Sequence, residues 1–234
     1  MVRGYDYAKH EEENLTHWGL KQIPKALIYQ GLSRLRKGEK FTFNTESYSY
    51  CLDRYNAAFF CERAIEIPIF TRLIARLPAS EVLEVGNVLP HYVKVKHQIL
   101  DKYEKGERII NQDVTRYSSS KRYRMILCIS TLEHVGWDER PRQEQKIYTA
   151  ISHLKKLLVP GGELWASWPI GYHPQADIIA REIQPFRQVY YFKRISWINR
   201  WRQADYEDVA NLSYGKPYLS GNGLVIASFT SQNR

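Results

Sequence analysis

Glu81-Val82-Leu83-Glu84-Val85-Gly86-Asn87-Val88-Leu89-Pro90-His91 is the stretch whose reading decides the fold. Val82, Leu83 and Val85 are apolar and mostly β-branched, as a short buried strand requires. Gly86 and Asn87 are the residue types that best tolerate positive φ, so the chain can turn sharply after the strand. Pro90 suits the first turn of a helix, where the N–H it lacks has no helical partner anyway. Strand, small-residue turn and helix start make the opening βα unit of an open α/β sheet. Ligands of such sheets bind at the carboxyl ends of the strands, which sets Glu84 and Gly86 beside a crevice.

Downstream, the same pattern repeats. His97–Tyr103 reads as a second short strand ending in an acid, Asp101, and Arg108–Val114 as a third followed by Asp113. Residues 123–130, Y-R-M-I-L-C-I-S, are hydrophobic enough for the centre of a parallel sheet. A helix over 143–158 puts Ile147, Ala150, Ile151, Leu154 and Leu158 on one face, Pro160-Gly161-Gly162 stops it, and E-L-W-A-S-W-P follows as a strand. Strand, turn and helix thus alternate from 81 to 168, which favours parallel strands joined by crossover helices. Beyond them, Q-V-Y-Y-F-K and G-L-V-I-A-S-F are strand candidates separated by a Trp- and Arg-rich stretch.

Upstream, residues 1–18 are polar, and apolar residues recur at helical spacing from Leu20 to Leu35. F-T-F-N-T-E is short and extended. A second helical stretch, 57–76, contains Pro68, which is expected to kink or split it.

A chain of 234 residues holds one substantial domain with an extension. No apolar run reaches the length of a membrane span and the first ten residues lack an apolar signal region, so a cytoplasmic home is expected. Cys51, Cys61 and Cys128 form no C-x-x-C pair, which argues against a disulfide framework or a zinc ribbon. The net charge of +9 is compatible with a polyanionic partner, and basic residues cluster at 34–40, 121–124 and 193–202. No RNP or KH signature accompanies them, so a dispersed cationic surface is the favoured reading.

Taken in order, V-L-E-V-G (82–86), S-T-L-E-H-V-G (130–136) and L-K-K-L-L-V-P-G-G-E-L (154–164) resemble motifs of the class I S-adenosylmethionine-dependent methyltransferases, small-molecule branch. The resemblance spans about residues 80–170. It implies an α/β, Rossmann-like three-layer sandwich with a mostly parallel sheet over 79–234, behind an N-terminal helical cap over 1–78. It implies S-adenosylmethionine as cofactor. By position, Gly86 would pack on the methionine end, Asp101 would accept from the ribose hydroxyls, and Asp113 would meet the adenine amine. Val85, Asn87, Val114 and Ser130 complete that set, with Glu84 and Glu66 as acids near the cationic sulfonium. The family's E-x-G-x-G turn is here E-V-G-N-V, and Val88 limits how closely a cofactor can approach the backbone.

The residue types suit that chemistry, since a carboxylate offers a diol several acceptor sites and no donor. Methyl transfer to an alcohol or phenol needs a proton removed, and His134, after the fourth strand, is the candidate base. His173, Tyr172, Trp168 and Trp201 are candidates for the acceptor pocket, with core packing the competing role for the tryptophans. Glu133-His134 also resembles the E-x-x-E-H segment of magnesium-assisted O-methyltransferases, but Ser130 replaces the first glutamate, so no metal is expected. No N-P-P-Y follows the fourth strand and no prolyl-cysteine nucleophile is present, which argues against methylation of DNA bases. The expected function is O-methylation of a small molecule or glycan. An RNA methyltransferase and a non-catalytic scaffold with the same fold stay open as alternatives.

Overall fold

The computed structural model describes residue 31 and residues 34–232. The polar leader 1–18 and nearly all of the amphipathic stretch 20–35 lie outside those residues. The F-T-F-N-T-E segment becomes strand β1 (Lys40–Phe43) and its turn into β2 (Glu46–Ser49). Asn44 and Thr45, the two turn residues, both lie at positive φ, as a tight hairpin with right-handed strand twist requires.

Helix α1 (Arg63–Ile74) runs unbroken through Pro68. A proline there removes the hydrogen bond to the carbonyl four residues back, that of Ala64. The Cys51 N–H fills the vacancy at 2.8 Å, so the expected split does not occur.

Eight strands then form one sheet: β3 (Val82–Val85), β4 (Gln98–Asp101), β5 (Ile109–Asn111), β6 (Tyr123–Ile129), β7 (Leu158–Pro169), β8 (Gln188–Arg194), β9 (Trp201–Ala204) and β10 (Gly223–Thr230). Their order is β5-β4-β3-β6-β7-β10-β8-β9. Strands β3 to β7 run parallel to one another, and β10 lies antiparallel between β7 and β8. Strand β9 is antiparallel to β8 at the edge. The sheet is therefore mostly parallel and Rossmann-like, as expected. Its strand order reverses between β3 and β6, the point where such sheets open a crevice.

Two hydrophobic clusters clothe the faces of the sheet. On one, Leu83, Val85, Ile126, Cys128, Leu164, Ala166, Trp168 and Val225 pack with α2 (Lys146–Lys156) and α3 (Pro174–Glu182) through Ile147, Ile151, Leu154 and Ile179. On the other, Val82, Met125, Leu127, Ile129, Phe192, Leu224 and Ile226 pack with Phe41 and Phe43 of the hairpin and with Ile65, Ile69, Phe70 and Leu73 of α1. That gives three layers. The boundary at 78/79 drawn from the sequence thus runs between residues that share one core. A short helix, α4 (Tyr206–Val209), lies between β9 and β10.

The alternation of strand and helix is sparser than expected. The connections 86–97, 102–108 and 112–122 contain no α-helix, and the helix expected at Pro90 is a single 3-10 turn, Leu89–His91. Without helices, the connection 86–97 packs on the α1 and hairpin side through Leu89, and 112–122 on the α2 side through Val114 and Tyr117. The proline-glycine stop also differs: α2 ends at Lys156, and β7 begins at Leu158 with Pro160-Gly161-Gly162 inside its irregular start. Gly161 and Gly162 bond there to Ser231. Among the described residues, no helix is long and apolar enough to cross a membrane.

Candidate functional site

At the carboxyl ends of β3, β4 and β6 lies a cavity of about 430 Å³. Of the residues singled out in the sequence, Val85, Gly86, Asn87, Asp101, Asp113, Val114, Ser130, His134 and Tyr172 line it. The others lie elsewhere.

Gly86 turns the chain at φ 84°, and a Cβ there would collide with the side chain of Thr131 in the loop after β6. Only glycine lets these two loops meet at the switch point. Asn87 keeps an ordinary backbone and works through its side chain instead, donating to Glu104 Oε2 at 2.5 Å. Glu84, fully buried, does not face the cavity. Its Oε1 accepts from the Val88 and Leu89 N–H groups at 2.8 Å each, and Oε2 lies 2.6 Å from His97 Nε2. This carboxylate organises the turn that a second glycine would otherwise shape.

Asp101 Oδ1 accepts the N–H groups of Tyr103 and Glu104, both at 2.8 Å. Its Oδ2 has no partner among the described residues and remains open to a ligand's donors. Asp113 is engaged on both oxygens: Thr115 donates to Oδ1, while Lys146 and Lys102 lie 2.9 and 3.1 Å from Oδ2. Despite the opposing effect of burial, these donors hold its carboxyl well below the usual range. With its lone pairs so occupied, Asp113 fits the anchoring of Lys102 and Lys146 better than an adenine amine.

Glu66 sits wholly buried behind the cavity, where Arg63 Nη1, Ser130 Oγ and Ser167 Oγ donate to it at 2.5, 2.7 and 2.6 Å. It ties α1 to the ends of β6 and β7 and holds the Arg63 guanidinium, which lines the cavity. Neither Trp168 nor Trp201 reaches it: the first is buried against Phe186, the second among the residues under the hairpin. His173 is buried too, its Nδ1 accepting from the Gln175 N–H as the N-terminal cap of α3.

His134 is half-exposed at the cavity wall, with Nδ1 2.6 Å from Asp138 Oδ2. Beside it Glu133 is 1% exposed, and its Oε2 has no partner among the described residues. Burial pushes this carboxyl up to about 7, the positive charge of His134 working against it. A carboxyl raised above its unfolded value of about 4.5 lends stability that is full below pH 4.5 and gone as pH rises through 7. Glu133→Gln is therefore expected to stabilise the protein by about 2–4 kcal/mol at pH 8 and to change little at pH 4.5. Urea denaturation at both pH values checks this, and an equal change at both would mean that Glu133 does not titrate as described.

Sequence reasoning missed Arg63, Tyr55, His91, Lys102, Glu104 and Asp138 in the lining. Two of these carried a usable signal: Lys102 follows an acid at a strand end, and Asp138 stands four residues after His134. Tyr55 and His91 come from distant segments and stack with ring centroids 4.2 Å apart, which no local pattern announces.

Neither a family model nor a curated protein matches the chain. Solved structures similar to it include an N-methyltransferase, NodS, from Bradyrhizobium japonicum in complex with S-adenosyl-L-homocysteine, at 14% identity, covering 88% of this chain and 98% of that one, with TM-score 0.46. A second is an rRNA methylase from Streptococcus thermophilus, at 8% identity, 71% and 97% coverage and TM-score 0.43. A third is CalS10, an amino pentose methyltransferase from Micromonospora echinaspora, at 15% identity, 70% and 89% coverage and TM-score 0.37.

Proposed function

We propose that the chain is an S-adenosylmethionine-dependent methyltransferase acting on an oxygen of a small molecule or glycan. The observation that carries this is the cavity at the switch point, which sets the open Oδ2 of Asp101 at the end of β4 and His134 beyond the end of β6 on one volume. That volume and its lining suit the donor's parts. Asp101 Oδ2 offers lone pairs to a diol, Val85, Leu100 and Val114 offer apolar surface to a base, and Arg63 offers a guanidinium to a carboxylate. The donor supplies a methyl group already activated on a sulfonium. The chain's own residues then bind, orient and handle the proton, and positioning accounts for much of the acceleration.

His134 lies where an acceptor hydroxyl enters, and its imidazole takes the proton that leaves. The RNA reading draws less support from the surface. Arg36 and Arg194, in the basic clusters, are buried. Arg200 pairs with Glu39, Arg202 and Lys193 with Asp208, and Arg124 with Glu81.

Calorimetry tests the donor. S-adenosylmethionine or S-adenosylhomocysteine is expected to bind, and Asp101→Ala to weaken binding by about 1–3 kcal/mol, since a charged hydrogen-bond acceptor is lost. Absence of heat with either ligand at millimolar concentration would overturn the reading in favour of a scaffold.

A further inference from the structure

His134 and Asp138 come from one segment of the chain and Tyr172 from another, and the three meet at one edge of the cavity. His134 lies in the 3-10 turn after β6, Asp138 four residues on, and Tyr172 just beyond β7. His134 Nδ1 is 2.6 Å from Asp138 Oδ2. The Tyr172 hydroxyl donates to that same oxygen at 2.9 Å and lies 3.2 Å from Nδ1. An ionised carboxylate only accepts, so Nδ1 carries the hydrogen of the short contact. That leaves Nε2 as the nitrogen with a lone pair when the ring is neutral. The nearest carboxylate oxygen recorded for Nε2, Oε1 of Glu133, is 3.9 Å away, too far for a hydrogen bond.

We propose that Asp138, steadied by Tyr172, is a positioning residue for His134, fixing the Nδ1–H tautomer so that Nε2 receives the acceptor's proton. The inference rests on the methyl-transfer reading and narrows it. A base of this kind serves an acceptor with a proton to lose, a phenol or alcohol rather than a thioether or tertiary amine. The hydroxyl proton ends on Nε2, Nδ1 keeps its own, and the positive charge so formed lies against the Asp138 carboxylate.

The electrostatics agree with the geometry. The groups facing the imidazole are Asp138 and Glu133 from its own segment, Tyr172 from the loop after β7, and Arg63 from α1. Although burial works against the charged ring, Asp138 and then Glu133 hold its pKa above the ordinary value. Asp138 is held below the usual carboxylate value by His134 and Tyr172 against the effect of burial. Tyr172 is in turn pushed upward by burial and by Asp138, so it stays a hydroxyl donor at every working pH.

An NMR titration of the imidazole ring protons in the full chain, without donor, tests the pairing independently of activity. In the wild type His134 is expected to titrate above its ordinary value. Asp138→Asn is expected to lower that pKa by about 1 pH unit or more, because an opposite charge in contact is gone. Tyr172→Phe, the gentler variant should Asp138→Asn fold poorly, is expected to move the pKa measurably, because it removes one donor from the shared carboxylate oxygen. With donor and a phenolic acceptor, Asp138→Asn is expected to lower kcat by ~10²-fold, to leave the KM for the donor unchanged, and to move the rising limb of the pH profile downward. A His134 pKa that stays put in both variants would overturn the proposal, as would a fall in kcat with no movement of the limb. A pKa that moves while no acceptor is ever methylated would support the pairing and overturn the reading of function beneath it.

Discussion

His134→Ala is expected to lower kcat by ~10²–10⁴ while donor affinity stays within a factor of a few. The argument is one of position. The ring stands in the cavity wall, and its backbone belongs to a 3-10 turn in which the His134 N–H donates to the Thr131 carbonyl and the Val135 N–H to that of Leu132, bonds that alanine keeps. The ion pair with Asp138 is half-exposed on both sides, so its loss costs at most about 1 kcal/mol of stability. Chemistry should therefore fail well before the fold does. The wild-type rate should rise with pH through a value above the ordinary histidine range, since a base must shed its proton and this one holds it more tightly than usual. The mutant should lack that limb. A methyl-release assay over a panel of phenols, alcohols and sugars, run beside calorimetry of the donor, separates the outcomes. Equal turnover in mutant and wild type at every pH would remove His134 from the chemistry. Stability and donor affinity falling together would make it a brace for the loop.

Removal of residues 1–78 is expected to destroy the fold rather than merely uncover the cavity. Phe41, Phe43, Ile65, Ile69, Phe70 and Leu73 form one whole side of a core whose other side is Val82, Met125, Leu127, Ile129, Phe192, Leu224 and Ile226. Stripping the first set would leave seven buried side chains of the sheet facing water, each worth roughly 1.5–3 kcal/mol of burial. The whole stability of a domain is only about 5–15 kcal/mol. A single truncation makes the graded version: Phe70→Ala, at a fully buried position, should cost about 3–5 kcal/mol. Urea midpoints measure it. A shortened chain over 79–234 that stays soluble and unfolds cooperatively would show that α1 and the hairpin are dispensable.

Periodicity located the strands well because their residues leave little choice. The stretches read as strands at 81–86, 97–103, 108–114 and 123–130 contain β3 to β6, with ends up to three residues too long. The crossover helices were inferred from a rule about folds, and the connections 86–97, 102–108 and 112–122 cross without them. Pro68 shows the same limit: whether it breaks a helix depends on the Cys51 N–H, thirteen positions before the carbonyl it serves.

That Gly86 and Asp101 lie beside the crevice was legible because a turn and a strand end constrain residue type. The acids Glu66 and Glu84 were legible as acids but not as to what they hold. A carboxylate at a strand end serves equally a ligand or two backbone N–H groups, and only the path of the chain tells which. Trp168 and Trp201 illustrate the same degeneracy for large aromatics, which suit a core as well as a pocket.

The place of β10 carries one more consequence. It is the last strand in sequence yet lies between β7 and β8, in the interior of the sheet. Until residues 223–230 are in place, β7 and β8 each present a row of unpaired backbone donors and acceptors along the edge that β10 later covers. A nascent or prematurely terminated chain that has folded through β9 thus holds two sticky edges facing one gap. The strand 223–230 of a complete second copy carries the same residues as the chain's own β10. Chains ending before 223 should aggregate or exchange strands.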